Sequence, residues 1–298
     1  MPGKYICVCI CTFKRPRQLK KLIQRVLQQE TGNLFGYSIV IVDNDKESSA
    51  ESVVAAFTGE AAVDIRYSME PVPNIARARN RAVSIATGDY LAFIDDDEMP
   101  ARDWLMKMFS LCEKSQVAGA LGPVLPYFES EAPLWLVKAG FYDRPRHVTG
   151  FEMKWEGSRC GNVMVRRGVV EELLQPFRDE FGSGGEDQDF FRRLMDLGHK
   201  FIWCDDAPVF ETIPPHRWRL TFLLRRALLR GGICLKHPRN RAKNIGKSIV
   251  ALPAYGVALP FLLLGGRYLF AKYLVKMFDH AGRLLALFRL NPTIVRNN

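Results

Sequence analysis

The sequence predicts an α/β fold built on a doubly wound, largely parallel sheet. Three observations carry that expectation. Continuous apolar runs stop abruptly at charged or turn residues, as strands buried on both faces do. Segments with apolar residues at helical spacing stand between those runs. The composition, 48% hydrophobic and 25% charged over 298 residues, is that of a globular protein with a substantial core. A disordered chain, a collagen-like repeat and a disulfide-stapled miniprotein are excluded.

Residues 5–13 (YICVCICTF) read as the first strand, ending at Lys14-Arg15-Pro16. Residues 17–29 then carry Leu19, Leu22, Ile23, Val26 and Leu27 on one helical stripe. A second strand, 37–42, is closed by Asp43-Asn44-Asp45. A helical stretch holding Val53, Val54 and Phe57 leads to a short strand at 63–67. Residues 74–86 read as a helix with Gly88 just past its end. The strand at 90–94 runs straight into four acids.

Beyond residue 100 the pattern loosens. A helix is expected at 104–111, an extended segment at 117–125 and a strand at 161–165. A further helix is expected at 190–197, ending at Gly198, and a basic helix at 217–230. Pro123, Pro126, Pro133 and Pro145 mark irregular connections, and the composition changes beyond Gly231-Gly232. Cys7, Cys9 and Cys11 share one strand face; three thiols on one strand cannot close a tetrahedral metal shell, so core packing is expected. Seven cysteines without paired spacing, behind a strand-like N-terminus, make a reducing cytoplasm the expected compartment.

Charge is divided unevenly. Residues 211–298 hold 16 Lys/Arg against Glu211 and Asp279, whereas residues 1–210 hold 26 against 30 acids. A basic tail on a slightly acidic body calls for a polyanionic partner, either nucleic acid or an anionic membrane. The tail decides between them. Residues 248–266 carry no charge, yet a span needs about 20 apolar residues, and Pro253 and Pro260 argue against a straight one. Lys272, Lys276, Asp279 or His280, and Arg283 then form a stripe on an otherwise apolar helix, the pattern of an interfacial membrane segment. Nucleic acid is not expected, because the cations flank an apolar run instead of interleaving with exposed aromatics.

The acids carry the chemistry. Ile94-Asp95-Asp96-Asp97-Glu98 places four carboxylates at the end of a buried strand, where ligands of doubly wound sheets bind. Asp95 and Asp97 point to the same side of an extended backbone and suit Mg²⁺ or Mn²⁺, which also bind phosphates. Asp43 ends another strand and can accept hydrogen bonds from a nucleotide's base or ribose. Thr12 and Arg15 end the first strand beside it, and one of Arg77, Arg79 and Arg81 could reach a diphosphate.

These blocks, Cys11-Thr12-Phe13-Lys14-Arg15-Pro16, the strand-end Asp43, Ala78-Arg79-Asn80 and Phe93-Ile94-Asp95-Asp96-Asp97-Glu98, resemble family 2 glycosyltransferases of the GT-A fold. Gly184-Gly185-Glu186-Asp187-Gln188-Asp189-Phe190-Phe191 is similar to that family's acidic motif before its acceptor-side helix. Order and spacing look most like bacterial succinoglycan-type exopolysaccharide glucosyltransferases, over about residues 4–230. The resemblance implies a Rossmann-like GT-A catalytic domain over 1–230, with its nucleotide-binding half at about 1–100 and its acceptor half at about 101–230. Residues 231–298 would be a helical membrane-associating tail.

By the same resemblance, Thr12, Arg15 and Asp43 hold the uridine of a UDP-sugar, with Arg79 and Asp96 among the nucleotide-binding residues. Asp95 contacts the ribose or the metal, Asp97 is the metal ligand of the Asp-x-Asp motif, and Asp187 is the catalytic base. One departure is Asn74-Ile75-Ala76, where the family often carries Asn-x-Gly; it leaves the diphosphate-contacting arginine open. His216 is the best-placed histidine for a third metal ligand. Glu186 either assists Asp187 or orients it, and Trp155 and Asn162 could line an acceptor pocket. The expected reaction is inverting transfer from a UDP-sugar to a lipid-linked saccharide at the cytoplasmic face of the inner membrane. A nucleotidyltransferase shares the metal carboxylates, but usually has a glycine-rich loop after the first strand, which residues 12–16 lack.

Overall fold

The computed structural model describes residues 3–59, 62–182, 184–234 and 241–288. Strand β1 (Lys4–Thr12) is central, flanked in parallel by β2 (Phe35–Asp43) and β4 (Tyr90–Asp95). Strand β3 (Ile65–Met69) adds in parallel outside β2. On the other side come β8 (Asn162–Arg166), β6 (Gly119–Leu121) and β9 (Phe201–Trp203), for a seven-stranded order β3-β2-β1-β4-β8-β6-β9. Only β8 is reversed, pairing antiparallel with both neighbours, so the sheet is parallel but for one strand. A three-stranded sheet joins β5 (Glu98–Pro100), β10 (Val209–Thr212) and β7 (Val124–Tyr127), in the order β5-β10-β7. The single extended segment expected at 117–125 is thus two strands in different sheets. At the break, a Cβ on Gly122 would lie 2.5 Å from the Ala207 carbonyl oxygen.

Side-chain alternation along β1 divides the core into two layers. Ile6, Val8 and Ile10 pack with α1 (Pro16–Val26), α2 (Glu51–Thr58) and α4 (Trp104–Ser115). Cys7 and Cys9 pack on the opposite face with α3 (Ile75–Ile85), α6 (Arg167–Glu171) and α7 (Glu186–Asp196). The cysteines are therefore core, and burial pushes the neighbouring Cys11 thiol up to about 12. Pro16 opens α1 where its missing N–H costs nothing. Asn74 caps α3, its Oδ1 accepting from the Ala76 and Arg77 amides at 2.9 and 3.2 Å. Helix α7 begins at Glu186, earlier than the apolar pattern suggests. Its first turn holds Glu186, Asp187 and Asp189, where the helix dipole favours carboxylates.

Residues 1–125 and 144–212 form one compact unit, and residues 126–143 and 213–298 another. The second unit contains α5 (Leu134–Ala139), α8 (Leu220–Cys234), α9 (Arg241–Leu264) and α10 (Arg267–Leu287). Gly231-Gly232, beyond which the composition changes, lies inside α8. The glycine serves close packing: a Cβ on Gly231 would come within 2.2 Å of the Asp279 carbonyl oxygen on α10, and one on Gly282 within 2.1 Å of the Leu228 oxygen on α8. Pro253 and Pro260 do not interrupt α9 and sit on its exposed side. Ser183 of the glycine-rich segment Gly182-Ser183-Gly184-Gly185, expected to let backbone approach the acceptor closely, and the basic residues beyond 288 lie outside the described residues.

Asn162 differs from its expected pocket-lining role. It is buried at the start of β8, where it accepts from Trp104 Nε1 (2.8 Å) and donates to the carbonyls of Pro123 (3.0 Å) and Ala207 (2.9 Å). All its hydrogen-bonding capacity goes to holding β8, α4 and the strand connections together. Asn162→Ala strands one buried donor and two carbonyls, and should lower unfolding free energy by about 3 kcal/mol in urea denaturation. A loss below about 1 kcal/mol would contradict this role.

Candidate active site

Register brings the functional side chains to one level. Thr12 at the end of β1 pairs across the ladder with Asp43 of β2, and Cys11 pairs with Asp95 of β4. The carboxyl ends of the three central strands thus place Thr12, Asp43 and the 95–98 acids along one edge of the first unit, as a doubly wound sheet requires.

Two arginines compensate these acids from two sides. Arg15 lies in the turn between β1 and α1, and its guanidinium donates to Asp96 (2.8 Å) and Asp97 (3.0 Å). The Thr12 hydroxyl donates to the second Asp96 oxygen at 2.8 Å. Burial nevertheless pushes the Asp96 carboxyl up to about 6, with Arg15 pulling it down and Asp97 pushing it up. Thr12, Arg15, Asp96 and Asp97 are therefore one cluster. Asp96 is its inner strut.

The three α3 arginines differ in burial and in partners. Of the three α3 arginines, Arg77 pairs at the surface with Asp179, and Arg81 reaches Ser68. Arg79 alone among them is buried; it donates to Glu186 at 2.5 Å and lies 3.5 Å from Asp95. Its guanidinium also rests over the Phe177 ring, 5.6 Å from the centroid. One cation thereby joins the strand-end acids to the first turn of α7. Burial and the adjacent Asp187 push the Glu186 carboxyl up, and Arg79 opposes them. Glu186 is spent on Arg79 through one oxygen, and its other oxygen has no partner among the described residues.

Asp187 has more access. Arg159 Nε stands 4.0 Å from one of its oxygens, and the other accepts from the Gln188 amide at 2.7 Å. Asp189, by contrast, is fully buried under Arg178, Arg192 and Arg193 and anchors α7. Gly184 and Gly185 adopt φ of +127° and +97°, which only glycine takes without strain. Gly182 meets Asn74, whose Oδ1 would lie 1.9 Å from an added Cβ. The glycine loop is thus fitted against the cap of α3.

Asp43 is fully buried. Its Oδ2 accepts from the Ala50 amide (2.7 Å) and the Tyr67 hydroxyl (3.2 Å), while Oδ1 is unpartnered among the described residues. Burial raises its carboxyl pKa. Asn44 pins the following turn by donating to the carbonyls of Glu70 and Val72 and accepting from the Asn74 amide. Trp155 packs half-buried against the α7 side of the core. His216 belongs to the second unit, on a 3₁₀ turn (Pro215–Trp218), edge-on to Phe222.

Arg144 and Arg159 escape sequence reasoning, whereas Glu98 and Asp45, legible as strand-end acids, show a burial that the sequence does not. Glu98 is buried, accepts from the Asp95 amide at 3.2 Å, and is pushed well above the usual carboxylate range by burial and Asp95. Gly161 makes room for this pair; a Cβ there would lie 2.6 Å from Glu98 Oε1 and 3.1 Å from Asp95 Oδ2. Arg144 pairs with Glu211 and contributes positive charge near Glu98 and Asp95. Asp45 is buried with an unpartnered oxygen. Lone arginines in loops carry no spacing signal, so nothing in the sequence marks Arg144 or Arg159.

The carboxylates fit a divalent cation of a particular kind. Among the described residues, no three His, Cys, Asp or Glu side chains are gathered to enclose a metal on their own. Asp95, with its side chain 47% exposed, and Asp97 beside it instead suit a hard ion that takes one or two carboxylates and completes its shell with phosphate oxygens.

The Glycosyl transferase family 2 model matches residues 7–174, which run from within β1 to beyond β8 and include the Asp95–Asp97 turn. The chain belongs to this family. This family 2 glycosyltransferase is 32% identical to succinoglycan biosynthesis protein ExoM of Rhizobium meliloti over 234 residues, 78% of this chain and 75% of that one. It is 24% identical to the glucosyl-dolichyl phosphate glucuronosyltransferase of Haloferax volcanii over 68% of this chain and 61% of that one. Among solved structures, the mannosyltransferase PcManGT from Pyrobaculum calidifontis, in complex with GDP-Man and Mn²⁺, aligns with a TM-score of 0.63 at 16% identity, covering 97% of this chain and 87% of that one. S. aureus TarS 1-349 in complex with UDP-GlcNAc aligns with a TM-score of 0.56 at 14% identity, covering 95% and 90%. The fold of this glycosyltransferase is accordingly GT-A, as expected from its motifs.

Removing Arg79 leaves buried acids uncompensated. Arg79→Met should cost about 3 kcal/mol at pH 7.5. Without the cation the Glu186 carboxyl rises further, so acidification protonates it and relieves the variant. The gap to the unmodified enzyme should narrow in urea titrations at pH 5. A gap that is constant or wider at pH 5 would show that Arg79 acts by packing alone.

Proposed function

We propose that the enzyme transfers a sugar from a UDP-sugar to a lipid-linked saccharide, inverting the anomeric centre, in cell-surface or exopolysaccharide synthesis at the cytoplasmic face of the inner membrane. The observation that carries this reading is the Arg79 bridge, which couples Asp95 to the helix turn bearing Asp187. Similarity to the succinoglycan protein supports the exopolysaccharide setting. A relative whose name specifies a dolichyl phosphate-linked substrate supports the lipid-linked acceptor. Complexes of the same fold with UDP-GlcNAc, and with GDP-Man and Mn²⁺, support a nucleotide-sugar donor and a divalent ion.

In this mechanism Asp43, held by the Ala50 amide and the Tyr67 hydroxyl, shapes the uridine end of the crevice, and Thr12 and Arg15 hold Asp96 and Asp97 in place beneath the diphosphate. A Mg²⁺ or Mn²⁺ ion held by Asp95 and Asp97 would supply Lewis-acid stabilisation to the departing diphosphate. Asp187 takes the acceptor hydroxyl proton as that oxygen attacks the anomeric carbon. The bond to the diphosphate oxygen breaks on the opposite side, and UDP leaves with the electron pair. A single displacement of this kind inverts the centre. Glu186, occupied by Arg79, orients the turn and leaves the proton to Asp187. Residues 231–298 serve as the membrane-associating tail of the 1–230 catalytic part.

Asp187→Asn preserves shape and removes the base. Sugar transfer should fall at least 1,000-fold by UDP-release assay, while UDP affinity by calorimetry stays within about threefold. Turnover near normal in this variant would remove Asp187 from the chemistry.

A further inference from the structure

Helix α9 presents two unlike faces. One face turns to α10: the Ser248 hydroxyl meets His280 Nδ1 at 2.9 Å, and Tyr255 packs on Tyr273 and His280. The paired numbers 248 with 280 and 255 with 273 run in opposite senses, so α9 and α10 form an antiparallel hairpin about Gly265-Gly266. The other face is wholly apolar and open. Val250, Val257, Phe261 and Leu264 are 71%, 72%, 70% and 88% exposed, and no charge interrupts the run from Ser248 to Gly266. Arg241, Lys243 and Lys247 stand exposed at its start, and Arg267 follows it.

We propose that α9 lies in the plane of a single leaflet of an anionic membrane, inserted by this face, and does not cross the bilayer. The assignment deepens the membrane association proposed above. Three constraints select the orientation. The 24 residues of α9 are long and apolar enough to cross a membrane, but its uncharged part, Ser248 to Leu264, is only about 25 Å long at 1.5 Å per residue, against a hydrocarbon core of about 30 Å. An upright α9 would carry the antiparallel α10 with it, drawing Lys272, Lys276, Asp279 and Arg283 through hydrocarbon. Asp279 is committed to Arg230 of α8, so a third helix with its own arginines would have to follow. Lying flat, α9 buries only its apolar side, and α10 and α8 stay above it. The occupant is a lipid surface because, among residues 212–298, Asp279 is the only acid set against 16 Lys/Arg.

The test uses the full-length enzyme and vesicles of phosphatidylcholine with or without phosphatidylglycerol. Binding should be at least tenfold tighter to the anionic vesicles, and Phe261→Glu should weaken it at least tenfold. A fluorophore on Val257→Cys should be quenched more by shallow than by deep lipid quenchers. In inner-membrane vesicles, Lys243→Cys and Arg267→Cys should react with an impermeant maleimide from the same side, with the unsubstituted chain as labelling control. Reaction from opposite sides would establish a span and overturn the proposal, as would the absence of vesicle binding or indifference to Phe261→Glu. UDP-sugar binding is measured in the same samples. Its loss with vesicle binding intact would count against the proposed function and leave this inference standing; the converse would count against the inference alone.

Discussion

The structure depends on holding several carboxylates together at the carboxyl end of a buried parallel sheet. Asp43, Asp95, Asp96, Asp97 and Glu98 would repel one another and resist burial if they stood alone. Arg15 grips Asp96 and Asp97 from the β1 turn, and Arg79 grips Glu186 and Asp95 from α3. Neither arginine neutralises the whole set. Unpartnered oxygens on Asp43, Asp45, Glu98 and Glu186 remain, together with the more open Asp95 and Asp187. That incomplete compensation is the physical signature of a place built to receive a charged ligand with donors of its own.

Much of the scaffold around this place was legible in the chain. Strands buried on both faces read as unbroken apolar runs, and β1, β2 and β4 therefore fall close to their expected limits. The strand-end acids announced the crevice, because a run such as Asp95-Asp96-Asp97-Glu98 has no reason to follow YLAFI unless it is compensated. Shorter and more distant partners were less legible. The segment around Gly122 splits between two sheets through a close backbone approach to Ala207, a tertiary fact without local pattern. Helix α7 starts on acids whose stabilisation comes from position in the first turn, not from apolar periodicity.

The same distinction separates the site residues. Three arginines alternate on α3, and spacing alone could not rank them; burial beside Glu186 does. Asn162 looked polar enough to line a pocket, yet three interior hydrogen bonds account for it. Gly161 is expected only as the start of a strand, and neither it nor Gly182 shows in sequence the oxygens that would meet a side chain there. In the tail, Gly231 and Gly282 let α8 and α10 touch, with Arg230 and Asp279 paired beside the crossing. Glycine carries opposite meanings in these settings, and only the neighbouring helix tells them apart.

Titration calorimetry of UDP into the enzyme, with Mn²⁺ and then with chelator, probes the carboxylate crevice most directly. The account predicts binding at least tenfold tighter with Mn²⁺, with Asp97→Asn abolishing the difference. Equal affinity in chelator, or an unaltered Mn²⁺ effect in Asp97→Asn, would contradict it.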